Sequence, residues 1–512
     1  MRLAELVELS QSVAETSGRL DKIERLAAFL NRLEPAEIEI AIAFLTGSPR
    51  QGRIGVGSAA VLAGRDTTPA ASPSLDLADV DTAFDRVAAT SGSGSNSARS
   101  QMLRDLFSRA TGAEQDFLIR LIFGELRQGA LEGVLLEAVA RASGVPPARV
   151  RRAAMLAGSL SAVATAVLPP SAGGEDPLAR FMVQLFQPVQ PMLADSAEDV
   201  NEALAELGEA SLEYKLDGAR IQVHKGGDEV RVFSRNLRDV TSAVPEIVEI
   251  VRGIPARELI LDGEAIALRA NGTPHPFQTT MRRFGRKLDV DGLRRELPIT
   301  PIFFDALYRD GDSLLDESLA RRSALLSAIV PAAWTVPRLV TSSREEAAAF
   351  LERAFETGHE GLMAKALGGT YAAGRRGSAW LKVKRARTLD LIVLAAEWGH
   401  GRRRGTLSNL HLGARDVERG GFVMLGKTFK GMTDEMLAWQ TKRFLELEIA
   451  RDDYTVYLRP ELVVEIAFND IQASPQYPGG VALRFARVKR YRPDKRAGEV
   501  DTLETVRSFL PI

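Results

Sequence analysis

Lys215, Asp217, Gly218 and Arg220 fall within six positions of the stretch SLEYKLDGARIQVHK, residues 211–225. Lysine is scarce in this chain: 12 of its 66 lysine and arginine residues are lysine, and only Lys22 precedes Lys215. The two side chains differ in what they can do. An amine that gives up its proton is a nucleophile, and burial or a neighbouring cation eases that loss. A guanidinium stays protonated and serves as a fixed fork suited to phosphate. A lysine kept where arginine is the habit points to a need for an amine or a compact charge. Read as a strand, the stretch places Lys215 and Asp217 on one face. Gly218 admits a turn or a close approach to the backbone. The same four residues also fit a surface lysine before an ordinary Asp-Gly hairpin turn.

Three kinds of element surround this stretch. Residues 1 to about 185 read as helical, with apolar residues at helical spacing in LVELSQSVAETSGRLDKIERLAAFLNRL. The pattern returns in EQDFLIRLIFGELRQGALEGVLLEAVARASG (114–144), where Gly144 suits a helix C-cap. RDTTPAASPS and TSGSGSNSARS read as loops. From about 186 to 385 a mixed α+β segment is expected. Its strands are EYKLDGARIQVHK, VRVFSRN, ELILDGEAIAL and TPIFFDALY, with helices such as REEAAAFLERAFETG between them. From about 386 to 512 five strand-like runs and one helix, TDEMLAWQTKRFLELE, fit a small β-barrel of the OB type.

Composition removes several chemistries. The chain has 512 residues and no cysteine, which excludes disulfides and thiolate-ligated zinc or iron–sulfur centres. Five scattered histidines leave little room for a histidine-rich metal site. The charged first 30 residues hold no apolar signal core and no run reaches spanning length, so a cytoplasmic protein with no membrane partner is expected. Net charge is −1, but it is unevenly spread: VALRFARVKRYRPDKR (481–496) sets seven basic residues against Asp494, and KVKRAR, GRRRG and MRRFGRK add further basic knots.

The order of short motifs is specific. EYKLDGAR is followed by FSRN (233–236), LDGE (261–264), FFDALY (303–308), EGLMAK (360–365), WLKVK (380–384) and LRFARVKRYRPDK (483–495). With the helical start and PVQPMLA (188–194), the chain closely resembles the three-domain ATP-dependent DNA ligases within the covalent nucleotidyltransferases. The resemblance implies an all-α DNA-binding domain (1–185), an α+β adenylation domain (186–385) and a C-terminal OB-fold barrel (386–512). It implies ATP and Mg²⁺ as cofactors. Lys215 would become adenylated, and Glu213 would help select adenine. Arg220 and Arg235 would contact the nucleotide or its phosphate, and Phe304 would stack on adenine. Glu264 would accept a hydrogen bond from the ribose and, with Glu360, serve the metal. Arg376, Lys382 and Lys384 would neutralise phosphate charge. Arg490, Arg492, Asp494 and Lys495 would meet the pyrophosphate leaving group. Ala486 stands where the family usually has proline, a departure that touches strand stiffness more than charge.

The attachment motif is shared with RNA ligases and mRNA-capping enzymes. The long helical segment before it favours DNA ligation, because capping enzymes need no such domain, and the lack of cysteine sets the chain apart from NAD⁺-dependent ligases. The implied substrate is nicked duplex DNA, bound by a monomer, with a sliding-clamp partner left open. The alternatives are an RNA ligase of the same superfamily and a non-catalytic nick-binding clamp.

Overall fold

The protein is described from a computed structural model over residues 1–52, 54–126, 132–169, 176–284, 290–372, 376–384, 387–400 and 403–510, without the side chains of residues 59, 62, 63, 65, 291 and 376–378. The chain groups into two compact units. The first holds Met1–Asp195, Gly218–Pro337 and Lys365–Trp380; the second holds Ser196–Asp217, Arg338–Ala364 and Leu381–Ile512. The mixed central segment therefore contributes to both.

Helical spacing of apolar residues builds the first core. Helix Leu3–Glu15 buries Leu3, Leu6, Val7 and Val13, and helix Arg19–Leu30 buries Ile23, Leu26, Ala27, Phe29 and Leu30. Among the described residues ten helices between Leu3 and Val167 share one apolar cluster that includes Phe44, Phe84 and Phe107. The run 114–144 is two helices, Gly112–Phe123 and Glu132–Ser143, because Gly124 takes a left-handed C-cap at φ +68°. Gly144 likewise follows the second helix at φ +70°. Half of the serine–glycine stretch expected as loop is helix Ser95–Ser108, where burial of Leu103, Leu106 and Phe107 outweighs weak local propensity.

Ten strands form in the central segment among the described residues: β1 (Leu193–Ala197), β2 (Ala210–Tyr214), β3 (Ala219–Gly226), β4 (Glu229–Ser234), β5 (Glu258–Ala267), β6 (Ile299–Arg309), β7 (Asp312–Ser313), β8 (Arg338–Thr341), β9 (Gly361–Ala366) and β10 (Arg376–Lys384). They make two five-stranded sheets, in the orders β4-β3-β5-β6-β7 and β1-β10-β9-β2-β8. In the first sheet the antiparallel register sets Arg220 of β3 opposite Glu264 of β5. Its apolar face (Ile221, Val223, Leu259, Leu261, Phe303) packs with Ile247, Val248 and Val251 of helix Pro245–Arg252.

The tail holds β11 (Arg387–Trp398), β12 (Leu407–Arg415), β13 (Phe422–Thr428), β14 (Glu448–Arg451), β15 (Thr455–Leu458), β16 (Val463–Phe468), β17 (Asp470–Ala473), β18 (Val481–Arg484) and β19 (Arg487–Tyr491). The five runs give seven strands because the chain turns at Pro460 between β15 and β16, and at Phe485, φ +56°, between β18 and β19, while β14 and β17 add two more beyond those runs. The main sheet runs β13-β12-β11-β15-β14, with β16 joining β11 to β19. Among the described residues no ladder pairs β13 with β19, so the barrel stays open there, although the Val488 N–H donates to the Lys430 carbonyl at 2.9 Å. This strand-rich tail, wrapped round Leu391, Leu412, Phe444 and Ile466, is consistent with an OB fold. Among the described residues no helix is long and apolar enough to cross a membrane.

Candidate active site

Strand β2 ends at Tyr214, so Lys215 and Asp217 do not share a strand face; residues 215–218 form the break between β2 and β3. Backbone pairing with the start of β9 places Lys215 instead. Its N–H donates to the Gly361 carbonyl at 2.8 Å, and the Glu360 N–H donates to the Lys215 carbonyl at 3.1 Å. This pairing sets Glu360 beside Lys215. Gly361 has φ +143°, and a β-carbon there would lie 2.1 Å from the Val383 carbonyl oxygen on β10, so only glycine fits.

The charged side chains then converge. Lys215 Nζ lies 2.5 Å from Glu360 Oε2, and Lys384 Nζ lies 2.8 Å from the same oxygen. Burial alone would raise the Glu360 pKa, but Lys215 and Lys384 outweigh it and hold the carboxylate below its ordinary range. Lys384 is shifted down, first by burial and then by the charge of Lys215. Asp217 is pushed up to about 6 by burial and by the like charge of Glu360, against the opposing pull of Arg484, Lys215 and Lys384. Arg484 of β18 approaches Asp217 at 3.7 Å. Glu213 is buried, with its carboxylate 2.7 Å from Arg338 Nη2 on β8. The unit thus presents an amine, a second ammonium and two carboxylates within one small cluster.

The other half of the motif belongs to the first unit. A β-carbon on Gly218 would stand 2.4 Å from the Ala265 carbonyl oxygen, which lets β3 start hard against β5. The Gly218 N–H donates to Glu264 at 3.2 Å. Arg220 is largely buried and bound bidentately to Asp262 at 3.1 and 2.6 Å. The two rings near it are Phe304 and Trp380, packed edge-on with centroids 6.1 Å apart. Phe303 points into the core, whereas Phe304 is only partly buried, as a stacking face requires. Lys365 Nζ sits 4.6 Å from the Phe304 ring centre and 4.2 Å from that of Trp380.

The remaining expected residues are placed as follows. Arg235 is exposed in the turn after β4. Lys382 lies on β10, partly buried. Arg376 begins β10, and its side chain lies outside the described residues. Arg490 is paired with Glu465 at 2.7 Å. Arg492 bridges Asp390 at 3.0 Å and Asp494 at 2.6 Å, and Lys495 reaches Asp390 at 2.6 Å. The hydrogen bonds from Arg492 hold Asp494 at about 2, below its usual range. Among the described residues no three acidic or histidine side chains cluster as a self-sufficient metal site. Mg²⁺ ordinarily takes one or two carboxylates and fills its octahedron with phosphate and water. The oxygen donors of Glu360 and Asp217, close enough that the Glu360 charge raises the Asp217 pKa, fit that need. Sequence reasoning missed Arg484, Tyr371, Asp262 and Arg338, whose partners lie far away along the chain.

Three family descriptions match along the chain in this order: DNA ligase N terminus over residues 51–140, ATP dependent DNA ligase domain over 191–384, and ATP dependent DNA ligase C terminal region over 403–495. They define an enzyme that activates a substrate with ATP. A protein named Probable DNA ligase from Anaeromyxobacter sp. (strain Fw109-5) is 62% identical over 99% of this chain and 98% of its own length. Another of that name from Rhodococcus jostii (strain RHA1) is 51% identical over 100% of both chains. The solved structure named Pmar-Lig_Pre shares the fold, with a TM-score of 0.63 at 18% identity over 95% of this chain and 99% of that one. The chain belongs to the ATP-dependent DNA ligase family.

Proposed function

We propose that this DNA ligase seals nicks in duplex DNA through an AMP carried on Lys215. The observation that carries this reading is the placement of Lys215 Nζ 2.5 Å from Glu360 with Lys384 on the same carboxylate. In the first step Lys215 gives its ammonium proton to bulk water, and the freed amine attacks the α-phosphorus of ATP. A P–N bond forms, the P–O bond to pyrophosphate breaks, and one hard displacement becomes two easier ones. Lys384 and Lys382 balance phosphate charge as it shifts, the work preorganised cations do best. Arg376, Arg490, Arg492 and Lys495 serve the phosphates, and the last two exchange Asp390 for the leaving group. Phe304 takes the adenine ring, Glu264 the ribose. Glu213, fixed by Arg338, and Arg220, fixed by Asp262, shape the base site, and Arg235 meets the nucleotide from the turn after β4. Glu360 and Asp217 would hold Mg²⁺, and the ion would screen the phosphate oxygens when bound.

The 5′-phosphate of a nick then takes AMP from Lys215, and the neighbouring 3′-hydroxyl displaces AMP to close the strand. Residues 1–185 bind the duplex, residues 186–385 carry the nucleotide chemistry and residues 386–512 form the closing barrel. The enzyme acts as a monomer in the cytoplasm. A labelled duplex carrying one nick, incubated with ATP and Mg²⁺, tests the reading. Sealing of the DNA nick that depends on ATP supports it. Sealing of nicked RNA alone moves the substrate to RNA, and tight nick binding without any sealing leaves a non-catalytic clamp.

A further inference from the structure

One buried hydroxyl gathers parts of the first unit that no motif joins. Tyr371 is 1% exposed. Its hydroxyl donates to Asp262 Oδ2 at 2.7 Å and accepts the Met192 N–H at 3.0 Å and an Arg220 Nη2–H at 3.3 Å. Arg220 also gives Nε–H and Nη2–H to Asp262, and Nη1–H to the Met192 carbonyl at 2.7 Å. A guanidinium has five N–H groups in a fixed plane. Here four contacts to Asp262, Met192 and Tyr371 set that plane, leaving one N–H uncommitted among the described residues. The plane lies against both aromatic rings, with Arg220 Cζ 5.5 Å from the Phe304 centre and 5.8 Å from that of Trp380. Tyr371 touches the same assembly from another side, its ring edge-on to Trp380 at 6.0 Å. The pair Tyr371 and Asp262 is thus a frame, and what it frames is the stacking face.

We propose that Tyr371 is a positioning residue for the adenine base, acting through Asp262 and Arg220 on the orientation of Phe304 and Trp380. This rests on the reading of Phe304 as the adenine-stacking residue. Removing the hydroxyl leaves Asp262 one donor short and the Met192 N–H without its acceptor, while Arg220 gains freedom to rock over the rings. The strong rise of the Tyr371 pKa through burial and the Asp262 charge agrees with a hydroxyl that never ionises and always donates. The consequence falls on capture of the base, because neither Tyr371 nor Asp262 is the nucleophile or a phosphate ligand.

The test follows AMP transfer to the intact protein by mass at increasing ATP in Tyr371→Phe, Asp262→Asn and wild type, with the same series using inosine triphosphate. Wild type must become charged with AMP; if it does not, the function proposed above fails and the frame is not the reason. The expected result for Tyr371→Phe is a half-saturating ATP concentration raised about tenfold, as for loss of one hydrogen bond to a buried charge. Its rate at saturation changes less than about threefold, since no transition-state contact is removed. Preference for ATP over inosine triphosphate narrows in parallel. Asp262→Asn, which keeps the shape but weakens the fork, shifts the same quantity in the same direction and carries the test if Tyr371→Phe does not fold. A folded variant with unchanged half-saturation and unchanged base preference, or one that loses only the saturating rate, overturns the proposal.

Discussion

At the residue scale one carboxylate holds both lysines of the cluster. Glu360 receives both Lys215 and Lys384, so its loss should misplace the amine and leave two ammonium ions facing each other. Glu360→Gln is expected to lower the rate of AMP transfer by about 100-fold or more, the scale of losing an electrostatic anchor at a reacting group. Lys384→Met should cost less, about tenfold, and act on the rate more than on half-saturation. Single-turnover charging with ATP measures both. Lys215, Lys384, Glu360 and Phe304 were legible from residue types in motif order. Arg338 and Tyr371 were not, because a pair separated by 125 residues (Arg338–Glu213) or 151 residues (Tyr371–Arg220) is created by sheet topology and leaves no local trace.

At the scale of elements the site depends on places where two strands come closer than a side chain allows. Gly361→Ala would force a β-carbon into the Val383 carbonyl at a backbone angle that disfavours L residues, so it should destabilise the fold by about 1–3 kcal/mol. Urea denaturation measures the loss. A second prediction concerns β3. His224 accepts the Phe186 N–H at Nδ1 and bonds Gln222 through Nε2, and burial lowers its pKa from 6.5 to about 3. In the unfolded chain the imidazole takes a proton near 6.5, while the folded one stays neutral down to about 3. Between those values the unfolded state binds more protons, so stability falls as pH drops below about 6.5, by up to about 1.4 kcal/mol per pH unit from this group. His224→Gln should flatten that part of the urea-midpoint profile between pH 6.5 and pH 4. The strand character of β5 and β6 was plain in the sequence. The breaks at Tyr214, Gly124 and Phe485 were not, since each is set by a neighbour or a single left-handed residue rather than by periodicity.

At the scale of the whole molecule the charge is nearly balanced, and DNA binding must come from where the basic residues stand. Strand β19 alternates, with Val488 buried and Arg487 and Lys489 exposed. Reversing both to glutamate should weaken nicked-duplex binding uniformly across sequences while leaving AMP transfer from ATP intact. Wild-type affinity should fall about 10³-fold or more between about 50 and 200 mM salt, read from binding isotherms. The helical, mixed and strand-rich thirds were legible as composition. The division into two compact units, each built from three separate stretches of chain, was not, because it depends on contacts distant in sequence. The most direct test of the central claim is the intact mass of the chain after incubation with ATP and Mg²⁺, with the modified residue mapped by fragmentation. A gain of one AMP on Lys215, absent in Lys215→Ala and discharged by nicked duplex DNA, is the result this account predicts. An AMP mapped to another residue, or DNA sealing by Lys215→Ala, would contradict it.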